Sequence, residues 1–129
     1  MSEQPYPTLF SPCELGGVPL RNRLAHASIV TRFVKDGEAT EALLNYYRSR
    51  ARGGTGLIVT EPIAMTAWNR VPTRLRAWDD GALDSLQRCA DVVENEGTRL
   101  LGQVQDSGRG RHAVGRNDGA VGASALPDD

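Results

Sequence analysis

The sequence is poor in lysine, cysteine and aromatic residues, and it contains no long apolar run. Lys35 is the only lysine, and the 15 basic and 16 acidic residues leave a formal net charge of -1. This balance excludes the strong positive field with which proteins attract nucleic acid or an anionic membrane surface. We therefore expect neither nucleic acid nor a membrane as a partner.

The few cysteines and histidines do not form a metal site. Cys13 and Cys89 lie far apart and outside a C-x-x-C spacing, which excludes a zinc site and a disulfide scaffold and suits a reducing compartment. His26 and His112 have no partner at ligand spacing. The N-terminus lacks a signal-peptide pattern, and no apolar run approaches the ~20 residues that span a bilayer. We expect a soluble, cytoplasmic protein without a bound metal.

What is present is an average globular mixture, with 40% hydrophobic and 24% charged residues over 129 positions, the size of one small domain. Gly16-Gly17 predicts a β-hairpin over residues 13–20. Short apolar runs predict three strands, near residues 23–30, 56–61 and 99–105.

Two amphipathic helices are predicted between these strands. Thr40 caps the first, Gly53-Gly54 end it, and its apolar stripe contains Leu43, Leu44, Tyr47 and Ala51. The second begins after Asp79-Asp80 and ends at Gly97, with a stripe of Leu83, Leu86, Ala90 and Val93. Polar loops are predicted around Asp36-Gly37, from Ala64 to Trp78 and from Asp106 to Gly122. The order β-α-β-α-β indicates a parallel α/β unit.

One sequence motif suggests a phosphate site, but only loosely. The segment from Gly108 to Ala113 fits G-x-G-x-x-A after a predicted strand. No amphipathic helix follows it, and Arg109 and Arg111 stand where small residues would meet a pyrophosphate. A surface loop is the better interpretation. An RNA-binding interpretation lacks flanking aromatic residues and positive charge, and no G-x-S-x-G elbow is present.

Polar residues follow all three predicted strands. They are Ser28 to Thr31, then Thr60 and Glu61, and finally Gln103, Gln105 and Asp106. In parallel α/β folds ligands bind at this edge. Strands also become polar simply on reaching solvent, so the residues alone leave both interpretations open.

The ordered motifs resemble the N-terminal part of the old yellow enzyme family of FMN-dependent NAD(P)H:flavin oxidoreductases. The matching segments are Leu9-Phe10-Ser11-Pro12, residues 15–23, Tyr46-Tyr47, residues 50–61, Trp78-Asp79-Asp80, the Gln103 strand, Gly108-Arg109 and residues 123–127. The resemblance implies an α/β fold, namely the N-terminal portion (a hairpin plus about three β/α units) of a TIM (β/α)8 barrel that is incomplete as given. It also implies FMN as cofactor, NAD(P)H as reductant, and an activated alkene such as an enone or enoyl thioester as substrate.

The resemblance also assigns cofactor-binding residues. Ala27, Ser28 and Ile29 match the segment that lies against the isoalloxazine, and Gln103 matches the glutamine whose amide pairs with the flavin pyrimidine edge. Val30 stands where many members have a Thr or Cys that bonds the flavin, with Thr31 beside it as a substitute. Pro62 stands where relatives often offer a backbone N–H.

A further departure is Asp106, which occupies a place where His is frequent. An added carboxylate there would disfavour a negatively charged reduced flavin.

Much of such a barrel is missing from 129 residues, since a barrel of ~250 residues uses about 31 per β/α unit. The family's substrate-binding pair, proton donor and phosphate-binding strands would lie beyond Asp129, so no catalytic residue is named. One hypothesis is an oxidoreductase that is inactive as the isolated chain and is completed by further sequence, another chain or a homo-oligomer. The alternative is a non-catalytic barrel remnant that needs a partner chain.

Overall fold

The computed structural model describes residues 5–67 and 71–108. It is a mixed α/β structure of short strands and two helices. In chain order the elements are β1 (Cys13–Leu15), β2 (Val18–Leu20), β3 (Ala25–His26), β4 (Val34–Lys35), β5 (Glu38–Ala39), α1 (Glu41–Arg52), β6 (Leu57–Val59), β7 (Ile63–Ala64), a 3-10 turn (Asp80–Ala82), α2 (Leu83–Glu94), β8 (Arg99–Leu101) and β9 (Val104–Gln105).

The central sheet is parallel and has the order β3-β6-β8, with α1 and α2 as the two crossover helices. His26 pairs with Ile58, and Ile58 pairs with Leu100. The strands are shorter than predicted, because regular pairing ends after two or three residues in each of them. The longest difference is at strand 1, where only Ala25–His26 of residues 23–30 pair.

Helix α1 forms as predicted because its signals are local. The Thr40 hydroxyl accepts a hydrogen bond from the Leu43 N–H at 3.4 Å and donates one to the Phe33 carbonyl. The four predicted stripe residues are all buried. Gly54 follows the helix with a φ of +95°, a conformation that favours glycine.

The predicted stripe of α2 is wrong in part. Leu83 is 68% exposed, whereas Ser85, Cys89 and Val93 are the buried residues of this helix. At 3.6 residues per turn, Leu83 and Ser85 lie about 200° apart, so one of them must face solvent when the other faces the core. The buried row is therefore the i, i+4, i+8 series that starts at Ser85.

Two predicted loops contain paired strands. β4 and β5 form a second hairpin whose turn residues, Asp36 and Gly37, both have positive φ (52° and 86°). β7, at the start of the predicted Ala64–Trp78 loop, pairs in parallel with β9. Leu75, inside the same loop, is fully buried, so part of this loop belongs to the core.

The hairpin β1-β2 packs below the N-terminal end of the sheet. An open, mainly apolar cavity of about 730 Å³ lies between its turn and the strand residues Leu57, Leu100 and Leu101. Asn22 follows the hairpin, and its side chain donates to the Gly54 carbonyl at 2.7 Å and accepts from the Leu24 N–H at 3.1 Å. A Cβ at Gly56 would meet Asn22 at 2.6 Å, so the hairpin end fits the sheet only with glycine there.

One face of the sheet is covered and the other is open. Ile58 belongs to the core shared with both helices, whereas Leu101 is 51% exposed. Within residues 5–67 and 71–108 the sheet does not close into a barrel, and β3 and β8 are its edges. In the same ranges no helix has the length and apolar character needed to cross a bilayer, and no group of three or more His, Cys, Asp or Glu could hold a metal ion.

Candidate active site at the carboxyl ends of three strands

Side-chain hydrogen bonds join the three strand ends in series. The N–H and hydroxyl of Thr31, after β3, both donate to Oε2 of Glu61, after β6, at 2.9 and 2.6 Å. The Thr60 hydroxyl accepts from the N–H of Gln103, after β8, at 3.0 Å. The polar residues that follow the strands therefore do not merely end in solvent, because they connect neighbouring strands at one edge.

The segment Ala27–Val30 leaves the sheet at this edge. Ile29 and Val30 are 52% and 49% exposed, and Ala27 is exposed while Ser28 is half-buried. These large apolar side chains are half-exposed beside the polar ends of the three strands. Together they form a surface that a flat apolar ligand could cover.

Gln103 presents its amide at the same edge. Its backbone is fixed on both sides, since its N–H donates to Thr60 and its carbonyl accepts from the Ile63 N–H at 2.8 Å. The side chain is exposed and makes no hydrogen bond to the residues that the structure describes. An amide held in this way can donate to one ligand atom and accept from another.

Three other positions singled out in the sequence have defined surroundings. Pro62 lies beside Gln103 and has no N–H to offer. The Thr31 hydroxyl, beside Val30, donates its hydrogen to Glu61 at 2.6 Å. The Asp106 carboxylate accepts hydrogen bonds from the Thr66 hydroxyl and the Gly108 N–H, both at 2.7 Å, so it holds a turn.

His26 contacts helix α1 rather than the residues at this edge. Nε2 of His26 lies 3.0 Å from the Tyr46 hydroxyl, and the Arg50 guanidinium stacks 3.5 Å over the Tyr46 ring, so His26 belongs to the contact between β3 and α1. His112 lies outside the described residues, as do Arg109 to Ala113 of the glycine-rich motif and the matched residues 123–127.

Glu61 and Tyr47 form a buried polar pair that the sequence pattern does not identify. Glu61 is 1% exposed, and its backbone N–H donates to the Tyr47 hydroxyl at 2.9 Å. Burial raises the pKa of Tyr47 well above its ordinary value, and the neighbouring Glu61 carboxylate raises it further. Tyr47 occupies an apolar stripe position in the sequence, so only its hydroxyl could have suggested a polar role.

The residues at this edge fit a flavin ring in their donor set and in their apolar surface. The Gln103 amide matches the N3–H and carbonyl groups of the pyrimidine edge. Ile29 and Val30 offer apolar surface to the ring. The Val30 side chain and the Pro62 backbone lack hydrogen-bond donors, so neither of these two groups would bond the ring.

Comparison with known proteins matches this arrangement to one family. The profile of the NADH:flavin oxidoreductase / NADH oxidase family covers residues 8–128. A metal reductase of Desulforamulus reducens is 34% identical over 119 residues, which are 92% of this chain and 18% of that protein. An NADPH dehydrogenase of Bacillus licheniformis is 32% identical over 94% of this chain and 36% of that protein.

A solved structure shows the same fold. The old yellow enzyme from Trypanosoma cruzi superposes with a TM-score of 0.77 at 24% identity, over 95% of this chain and 36% of that one. The chain therefore spans little more than a third, or less, of the length of these relatives. The motifs, the joined strand ends and the profile match agree, and the chain belongs to the NADH:flavin oxidoreductase / NADH oxidase family, the family of the old yellow enzymes.

Proposed function

We propose that this chain supplies one flank of the flavin site of an FMN-dependent NAD(P)H oxidoreductase of the old yellow enzyme type. The observation that carries the proposal is the Gln103 amide, exposed and fixed by its backbone, at the same strand edge as half-exposed Ile29 and Val30. Bound FMN would accept hydride from NAD(P)H and pass it to an activated alkene such as an enone or enoyl thioester.

The residues of this chain bind and orient the cofactor. Gln103 holds the pyrimidine edge by donating and accepting one hydrogen bond each. Ala27, Ser28, Ile29 and Val30 cover the ring and exclude water from it, and Pro62 closes the edge beside Gln103 without adding a donor. In this proposal the site acts in the cytoplasm, on a small-molecule substrate.

The remaining part of the site comes from elsewhere. The sheet has an open face and two unpaired edges within the described ranges, and the chain matches at most 36% of the curated relatives named above. We expect the substrate and phosphate groups to be held by further barrel strands, supplied by additional sequence, a completing chain or another subunit. The isolated 129 residues are then inactive.

The first experiment is a visible spectrum of the full-length gene product. We expect a yellow protein whose flavin absorbance is bleached by anaerobic NADH or NADPH and restored by an enone. A colourless protein that does not quench FMN fluorescence on titration would contradict the proposal.

The second experiment tests Gln103. Gln103→Leu removes the amide at nearly constant size, and we expect FMN affinity to fall about tenfold, since one hydrogen bond is worth ~1.4 kcal/mol in this range. Gln87→Leu is the matched control, because Gln87 is an exposed glutamine on α2 whose side chain, among the described residues, bonds only Asp91 of the same helix. Equal FMN affinity in both variants would show that Gln103 does not bind the cofactor.

A further inference from the structure

The Glu61 carboxylate is bound almost entirely by one residue of the neighbouring strand end. Its Oε2 receives both donors of Thr31, while Oε1 is buried and has no hydrogen-bond partner among the described residues. Burying a carboxylate is costly unless its partners are well placed. The two Thr31 bonds are therefore the main compensation that the described part of the chain offers for the burial of Glu61.

Thr31 lies at the point where the chain turns away from the proposed flavin edge. It directly follows Val30, and the next residue, Arg32, has a φ of +61°. This left-handed conformation is unfavourable for a residue with a Cβ and persists only where the surroundings hold it. The bonds from Thr31 to Glu61 are immediately adjacent to this strained residue.

Further hydrogen bonds hold the same turn from the side of α1. The Thr31 hydroxyl accepts from the Phe33 N–H at 3.1 Å, and the Phe33 carbonyl accepts from the Thr40 hydroxyl. Glu61 itself is fixed by its N–H bond to Tyr47 of α1. The turn after Ala27–Val30 is thus held by side chains of β6 and α1, since no ladder bonds extend beyond His26.

We propose that Glu61 is a positioning residue for the cofactor: through Thr31, its carboxylate sets the position of Ala27–Val30 against the flavin ring. This inference rests on the proposed function, because it assumes that this segment faces FMN. Glu61 touches neither the ring nor substrate in this arrangement. Its effect reaches the cofactor only through the backbone that Thr31 anchors.

The test compares two substitutions at Thr31 in the full-length gene product. Thr31→Val keeps the shape of the side chain and removes the hydroxyl, whereas Thr31→Ser keeps the hydroxyl. We expect Thr31→Val to weaken FMN binding about tenfold and to accelerate amide exchange in the apoprotein by a similar factor at positions 31 and 33, whose N–H groups bond Glu61 and the Thr31 hydroxyl. Thr31→Ser should recover both, and Glu61→Gln, which retains one acceptor oxygen, should lie between them.

Ser85→Ala is the matched control. The Ser85 hydroxyl on α2 accepts a hydrogen bond from the Ala39 N–H at 2.6 Å, so its removal also breaks a bond between a buried side chain and a loop backbone. We expect this variant to melt at a lower temperature while its FMN affinity stays within about twofold of the parent protein.

The outcomes separate the two proposals. A parent protein that binds no FMN overturns the proposed function and the positioning role together. If the parent protein binds FMN, two results overturn the positioning role alone. One is an FMN affinity of Thr31→Val equal to that of the parent protein, and the other is an FMN affinity of Ser85→Ala as low as that of Thr31→Val.

Discussion

Arg21 joins the ends of both helices beneath the sheet. Its guanidinium donates to the carbonyls of Ala51, at the end of α1, and of Glu96, after α2, at 2.6 and 2.8 Å. It also donates to the Thr55 carbonyl and the Thr98 hydroxyl, at 2.8 and 2.7 Å. A charged donor at these positions stabilises carbonyl groups that a helix end leaves unpaired.

We therefore predict that Arg21→Ala lowers the free energy of unfolding by about 2–3 kcal/mol, since several charge-assisted bonds are lost at once. Urea denaturation followed by circular dichroism measures the change. Arg48→Ala is the control, because within the part of the chain that the structure describes the Arg48 side chain bonds only Asn45, one turn earlier on α1. A change of less than ~0.5 kcal/mol in both variants would show that Arg21 is not a structural link.

Cys89 makes stability depend on alkaline pH. Burial raises the pKa of its thiol to about 12, and the nearby Arg88 charge offsets this only in part. In the unfolded chain a cysteine loses its proton near pH ~8.5. Above that pH the unfolded state loses a proton that the folded state keeps, so stability is complete below this range and is lost as pH rises toward 12.

We predict that the free energy of unfolding falls between pH 9 and 10 by roughly 1.2 kcal/mol on account of this one thiol. Cys89→Ala lowers the free energy of unfolding at pH 8, because it removes core volume. It should also reduce the fall in the free energy of unfolding between pH 9 and 10. Cys13→Ala, at the half-buried cysteine of β1, should keep the decline. If the free energy of unfolding falls equally steeply with pH in the Cys89→Ala variant and in the parent protein, Cys89 is not the cause.

At the scale of elements, the β4-β5 hairpin depends on Gly37. Its φ is +86°, and a Cβ there would lie 3.1 Å from the side chain of Arg76, which pairs with Glu38 at 2.6 Å. Gly37→Ala therefore combines backbone strain with displacement of this ion pair. We predict a loss of about 1–2 kcal/mol in thermal or urea denaturation.

Gly81→Ala offers a comparison for the same Arg76 contact. A Cβ at Gly81 would also approach Arg76 and Asp79, but Gly81 lies outside the positive-φ residues. If the two variants lose the same stability, crowding of Arg76 rather than the turn conformation of Gly37 is the cause.

The elements that could be predicted from the sequence are those with local causes. Thr40, the stripe of α1 and the Gly53-Gly54 stop lie within one segment, so pattern and propensity determine them together. The face of α2 could not be predicted, because burial of Ser85 depends on a bond to Ala39, 46 residues away. The Asp36-Gly37 signal was visible, but strands of two residues are too short to show an alternating pattern.

The same distinction between local and long-range causes applies to the candidate site. The residues at the strand ends were identified by their order in the chain and by family resemblance, since parallel strands bring their carboxyl ends to one edge. Glu61 was visible only as a polar strand end, because its burial and its partner Thr31 depend on how two separate segments pack. The bond from the Thr31 hydroxyl to Glu61 has the same origin.

At the scale of the whole molecule, the open face of the sheet determines whether the isolated chain associates with other proteins. Leu101 and Val104 are 51% and 61% exposed, and Leu15 and Val18 of the hairpin are exposed beside the same cavity. In residues 5–67 and 71–108 no strand pairs with the outer edges of β3 and β8, and these edges add backbone donors and acceptors that can pair with another chain. These features are expected of a unit that needs more protein to cover it.

We predict that residues 1–129, produced alone, bind a hydrophobic dye strongly and elute from size-exclusion chromatography as more than a monomer. The full-length gene product should bind the dye several times less. A monomeric, dye-silent fragment would mean that the described residues cover their own apolar face, contrary to the exposure of Leu101.

The bond pair between Thr31 and Glu61 has a consequence for how this family diverges. Without the Thr31 hydroxyl the buried Glu61 carboxylate keeps only the bond from the backbone N–H of residue 31, and without Glu61 the Thr31 hydroxyl keeps only its bond from the Phe33 N–H, so neither change is neutral by itself. Lineages that lose one of the two residues should replace the other soon afterwards, and the two positions should covary across related sequences more strongly than either does with Gln103.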